Sequence, residues 1–166
     1  MNISAINFLL SFAGALMLHE MGHFLAARTC QVAVTQAGFG WGPKLFGFRA
    51  KGVDYQFRLL PLGAYIRMDM STLQKRPLFQ QLFVLLAGIA VNLILAAIAW
   101  GTFFGTLNLV LAVGNLFPFY QQDGWKSGMV IFRRVFNRPS PLVEWSFTLS
   151  AGLLGLLLVM RVLFSC

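Results

Sequence analysis

Acidic side chains are scarce in this chain. Only 5 of its 166 residues are Asp or Glu, against 13 Lys and Arg, and charged residues make up 11% of the whole. A soluble domain carries about a quarter charged residues, so a surface solvated by water on every side is excluded. Histidine is scarcer still: both copies fall in the stretch His19-Glu20-Met21-Gly22-His23. The two cysteines, Cys30 and Cys166, sit at the ends of different apolar segments, and no disulfide framework is expected from them. The N-terminus lacks the basic start and small-residue cleavage site of a signal peptide, so the first apolar segment is expected to be retained. The net charge of +8 comes without a nucleic-acid-binding motif, and no nucleic-acid partner is expected.

What the chain has is apolar length. Hydrophobic residues account for 58% and gather in four segments: about 3–27, 82–104, 106–119 and 142–164. A helix needs about 20 apolar residues to cross the hydrocarbon core, which the first, second and fourth satisfy. The third is short, and its Gly114-Asn115-Leu116-Phe117-Pro118 end is expected to be broken or unwound. Residues 32–68 differ in character. Lys44–Arg49 and Val53–Leu60 show partial alternation around Ala50-Lys51-Gly52, which reads as a β-hairpin, with Ala64–Met68 as a third strand. The aromatic residues of that hairpin suit a membrane interface, and residues 70–80 suit a short amphipathic piece on its surface. The expected fold is therefore an all-α polytopic membrane protein, one domain over 1–166. It has about four transmembrane helices and a membrane-associated β-hairpin between the first two.

Charge placement gives an orientation. Eight of the thirteen basic residues lie between 28 and 81 and four between 119 and 141, while the N-terminus and Gly101–Asn108 carry none. The positive-inside rule then makes both basic loops cytoplasmic and both termini extracytoplasmic, as in an integral protein of a prokaryotic cell membrane. Arg161, near the outer end of the last helix, can snorkel.

The chemistry lies in the first segment. Residues four apart share a helix face, so His19 and His23 can hold one ion, and Glu20 beside them can take a proton from water. Catalytic zinc commonly has three protein ligands and one open position. Among the other acids, Asp54 and Asp69 belong to a solvated loop and Glu144 suits a helix N-terminus. Asp123, after the helix-breaking Asn115…Pro118 and before Gly124, is the best third ligand, against a plain turn carboxylate. At 1.5 Å per residue, His23 and His19 lie about 7 and 13 Å along the helix from Arg28, on the cytoplasmic side of the midplane. Asn115 on its own reads equally as a partner of a neighbouring helix. Gly88 and Asn92 read as a close helix contact rather than as chemistry.

These motifs resemble the site-2 protease family of intramembrane zinc metalloproteases. The likeness rests on His19-Glu20-Met21-Gly22-His23, on Asn115-Leu-Phe-Pro118 with Asp123-Gly124, on Gly38–Leu45 and Arg58–Met68, and on Ala87-Gly88…Asn92. Gln122, Trp125 and Ile89 depart from the family pattern without removing a reacting atom. Only Gly101–Asn108 joins the second and third segments, so the resemblance is to a small member without a PDZ-like domain inserted there. It implies a hydrolase, a zinc metalloendopeptidase carrying out regulated intramembrane proteolysis near the cytoplasmic side. His19, His23 and Asp123 would hold Zn2+ and Glu20 would be the general base. Asn115 and Pro118 would contact substrate, and the hairpin would offer an edge to an unwound strand. The implied partners are a transmembrane protein or peptide substrate, membrane lipid, and an accessory regulator or second copy of the chain. Two rivals stand beside this reading. A non-proteolytic homologue that binds a membrane partner has no need of Glu20, and a zinc transporter would want more ligands along a path.

Overall fold

The computed structural model describes residues 4–117, 121–136 and 141–164. The order is α1 (Ala5–Thr29), β1 (Val34–Ala50), β2 (Val53–Met68), α2 (Met70–Gln74), α3 (Leu78–Ile98), α4 (Phe103–Leu116), α5 (Asp123–Val135) and α6 (Pro141–Phe164). Helix α1 starts where the Ser4 hydroxyl accepts the Asn7 N–H at 3.3 Å. It ends where Gln31 takes a left-handed φ of 54° and the Val32 N–H turns back to the Ala27 carbonyl at 2.7 Å.

The hairpin forms where the alternation places it. Lys51 and Gly52 both have positive φ, 48° and 81°, between the paired Ala50 and Val53. Two positive φ values give a turn whose twist matches the strands. Stacked pairs lock the register: Phe46 on Phe57 with centroids 4.5 Å apart, and Phe48 on Tyr55 at 5.1 Å. The third strand expected at Ala64–Met68 is the far end of β2 and not a separate element. Both strands are long and bulged, so Phe39 is in register with Phe57 as well as Ala64. The Gln36–Phe39 stretch thus lies between Asp54–Phe57 and Ala64–Arg67, leaving the latter as an outer edge. Trp41, Phe46 and Phe48 of the sheet stay 69%, 58% and 52% exposed, an apolar surface that water does not favour.

Helices α1 and α3 are long and apolar enough to cross a membrane. Helix α4 has 14 residues, or about 21 Å at 1.5 Å each, short of the roughly 30 Å hydrocarbon core. It stops at Phe117, whose backbone is extended, as expected for the weak end of that segment; Pro118 lies outside the described residues. The amphipathic piece expected at 70–80 is the single turn α2, capped by the Asp69 carboxylate on the Ser71 N–H at 2.9 Å. The basic stretch 119–141, read from sequence as a loop, contains helix α5. Its apolar and basic residues alternate at helical spacing, a pattern that a count of charges alone obscures.

One buried cluster ties the end of α1 to the sheet, α2 and the start of α3: Ala26 and Ala27 of α1, Cys30 and Val32 after it, Val53 of β2, Leu73 of α2, and Val84 and Leu85 of α3. Further along α1 the contact with α3 is closer. A Cβ added to Gly22 would stand 2.7 Å from Val91 Cγ2 and 2.9 Å from the Ala87 carbonyl oxygen. Small residues at such crossings let backbones approach, which is how apolar helices pack where no hydrophobic force separates them from lipid. Gly22→Ala should therefore cost about 1–3 kcal/mol and lower the thermal midpoint in detergent. Gly14→Ala, whose added Cβ meets nothing within 4 Å, should leave it unchanged or raised. Equal midpoints for the two variants would contradict the close crossing.

Candidate metal centre

Helix α1 presents His19 and His23 one turn apart on its face toward α3, both buried to 4% exposure. The third member arrives from the far end of the chain. Asp123 is the first residue of α5 and is also buried, at 6%. Its place depends on the glycine that follows: a Cβ on Gly124 would run into the Leu116 carbonyl oxygen, so only glycine lets α5 begin against the end of α4. Gln121 absorbs the reversal with a left-handed φ of 74°.

Asp123 Oδ2 lies 3.1 Å from His19 Nε2 and 2.9 Å from His23 Nε2, and the two Nε2 atoms are 3.2 Å apart. Tetrahedral ligands bound at about 2.0–2.1 Å stand roughly 3.3 Å from one another, so this triangle has the dimensions of a zinc ligand set. The protonation pattern points the same way. His23 Nδ1 is 2.8 Å from the Val84 carbonyl, which can only accept, so Nδ1 carries the proton and Nε2 a lone pair. That lone pair faces a carboxylate oxygen and a second imidazole nitrogen. Three electron-rich atoms in mutual contact require a cation or extra protons among them. Two imidazole nitrogens and one carboxylate oxygen are a donor set that suits zinc.

Helix α3 supplies the outer support. Val84, Gly88 and Asn92 recur every four residues and face His23, the gap between the rings, and His19. A Cβ on Gly88 would stand 2.7 Å from His19 Nε2, so glycine leaves the space in which the ligand atoms converge. The Asn92 amide lies 3.1 Å from His19 Nδ1, and its Oδ1 is buried without a partner. With the amide turned to place Oδ1 on the ring, it accepts the Nδ1 proton and frees His19 Nε2 for a metal. In sequence these two residues read as a close helix contact, and the structure adds their effect on the histidine rings. Their spacing, matching that of His19 and His23, was the available signal.

On the charge side, burial opposes ionisation of Asp123. The contacts with His19 and His23 outweigh it and hold the carboxyl well below the usual carboxylate range. Lys126, one turn on, adds an ion pair at 3.3 Å. Glu20 lies half-buried beside the cluster and points the other way, its Oε2 accepting the Ile66 N–H of the outer edge of β2 at 3.1 Å. It faces an apolar cleft of about 460 Å³ between α1 and the sheet, walled by Met17, Met21, Phe39, Tyr55 and Tyr65. Asn115 is not drawn into the cluster: its amide nitrogen is donated to the Leu111 carbonyl in its own helix, at 3.0 Å.

A buried two-histidine, one-carboxylate cluster with a glutamate beside it, on a helix long enough to span a bilayer, defines a membrane-associated metal-site protein. The chain belongs to peptidase family M50, whose profile matches residues 7–106 and so covers α1, the sheet and α3. The expected likeness to the site-2 proteases is borne out by this match. Among similar proteins, one of Clostridium acetobutylicum, named as a candidate zinc metalloprotease, is 35% identical over 98 residues. These are 54% of this chain and 29% of that protein. Zinc metalloprotease RasP of Geobacillus kaustophilus is 38% identical over 65 residues, 39% of this chain and 15% of its own length. The chain thus spans less than a third of the curated relatives it matches.

Replacing Asn92 by Leu, which keeps volume and removes the partner of His19, should weaken zinc binding about 10–100-fold, read by competition with a chromophoric chelator. Gly88→Ala should weaken it too, while Gly14→Ala should not. Wild-type affinity in the Asn92 and Gly88 variants would contradict the supporting role of α3.

Proposed function

We propose that this chain is a zinc-dependent endopeptidase that cuts membrane-spanning substrates near the cytoplasmic side, in the manner of regulated intramembrane proteolysis. The observation that carries this reading is the position of Glu20, with the His19, His23 and Asp123 cluster on one side and the edge of β2 on the other. When bound, zinc supplies a water of lowered pKa and polarises the scissile carbonyl. The chain's own groups do the rest. Glu20 would serve as the base, taking a proton from water and passing it to the leaving amine. The Ile66 N–H holds that carboxylate at the strand edge, from which it would turn to the cluster to act. A substrate helix hides its carbonyls in its own hydrogen bonds and must unwind before it reacts. The outer Ala64–Arg67 edge offers backbone groups to the unwound segment, and the cleft above Glu20 takes an apolar side chain. Asn115, at the α4 end, and Pro118, outside the described residues, are assigned to substrate contact.

The same reading includes a single domain over 1–166 with about four spans, α1, α3, α4 and α6, and both termini outside. The exposed aromatic surface of the sheet supports its dipping into the interface, since that surface is favourable there and unfavourable in water. The α3–α4 connection consists of four residues, Ala99–Thr102, and holds no inserted domain.

The test is cleavage of a model transmembrane substrate in reconstituted vesicles. Glu20→Gln should retain zinc and lose about 10²–10⁴-fold in rate, the usual contribution of a positioned general base. Equal cleavage by wild type and variant would overturn the assignment. Absence of cleavage by zinc-loaded wild type on any transmembrane substrate would favour the partner-binding alternative.

A further inference from the structure

A second cavity lies apart from the cleft at Glu20. It has a volume of about 620 Å³ and lies between the α2–α3 corner and α5. Five cations line it: Lys75 and Arg76 from the corner, and Lys126, Arg133 and Arg134 from α5. Lys126, Arg133 and Arg134 share one helix face, at spacings of seven and eight, with Met129 and Val130 between them. Three carboxylates stand nearby. Asp123 takes Lys126 at 3.3 Å, Glu144 takes Arg133 Nη2 at 2.8 Å, and Asp69 lies close to Lys75. Arg76 donates to the Gln31 carbonyl at 2.7 Å. Lys75, Arg76 and Arg134 have no ion pair among the described residues, so the cavity keeps an excess of positive charge.

We propose that this cavity is a binding site for the phosphate headgroup of an anionic glycerophospholipid. Guanidinium and ammonium groups converging on a space of this size are what a phosphate diester requires, and a zwitterionic headgroup gains little from the excess charge. The location selects lipid over a soluble phosphate. Leu78 lines the cavity and is the first residue of the span α3, so the cavity opens where that helix enters the hydrocarbon. Exposed Phe79 on α3, and Ile131 and Val135 on α5, offer apolar surface for acyl chains beside it. All five cations fall in segments that the charge distribution places at the cytoplasmic face, the side where anionic headgroups attract basic residues. The site does not depend on the peptidase reading, and Lys126 alone connects it with the metal cluster.

The test is native mass spectrometry of the whole chain, zinc-loaded and in neutral detergent, titrated with dioleoyl phosphatidylglycerol. One phosphatidylglycerol per chain should be retained, with dioleoyl phosphatidylcholine retained far more weakly. The double variant Lys75→Gln/Arg134→Gln removes two of the three cations without an ion pair, sparing Arg76 for its bond to the Gln31 carbonyl, and should lower retention about 30-fold, roughly 5-fold per charge. Each single variant should show its own share, which preserves the test if the double variant does not fold. Glycerol phosphate at millimolar concentration should not displace the lipid. Unchanged retention in the variants, or equal retention of phosphatidylcholine, would overturn the proposal. Displacement by glycerol phosphate would overturn it in favour of a soluble phosphate ligand.

Discussion

The structure depends on how closely α1 and α3 approach each other. Gly22 on one helix and Gly88 on the other remove the side chains that would hold the backbones apart. The approach puts Val84 within reach of His23 and Asn92 within reach of His19. A wider crossing would leave two buried imidazoles without outer partners and without a fixed tautomer, which in an apolar setting costs more than the packing gains. The support of both histidine rings thus follows from one contact between helices. On another side of α1, Glu20 meets the sheet through the Ile66 N–H.

The third ligand shows a different economy. Asp123 is carried by a helix that packs on α3 and begins against the end of α4. It reaches the histidines across a sequence separation of 100 and 104 residues. The position is set by backbone clearance at Gly124 and by a left-handed turn at Gln121. Its helix then continues away from the site as a basic, amphipathic rod. One element therefore holds a metal ligand at its first residue and lines a cationic cavity along its length.

Much of this was legible from the residues. The spacing of His19 and His23, the scarcity of other ligands, and the position of Asp123 before a glycine pointed to three residues that the fold brings together. Alternation around Lys51-Gly52 placed the hairpin, and the short third segment matched α4. The misses share a cause. Helix α5 hid in a stretch whose charge suggested a loop, because a short amphipathic helix has neither the length of a span nor the apolarity of a core helix. Gly88 and Asn92 gave a packing signal that was right but incomplete. Their effect on the histidine rings depends on the rotation of α3 against α1, which no local pattern in either helix contains. The bulged double register of β1 likewise arises from pairing at long range, and so the outer edge at Ala64–Arg67 was foreseen only as a separate strand.

The central claim is that His19, His23 and Asp123 together hold one zinc ion, with an open position for water. X-ray absorption at the zinc edge, on purified protein in detergent, tests it most directly. Two nitrogen and one or two oxygen neighbours at about 2.0–2.1 Å, with one of the oxygens lost in Asp123→Ala, are the predicted result. A sulfur neighbour at about 2.3 Å, or a first shell unaltered by Asp123→Ala, would contradict it.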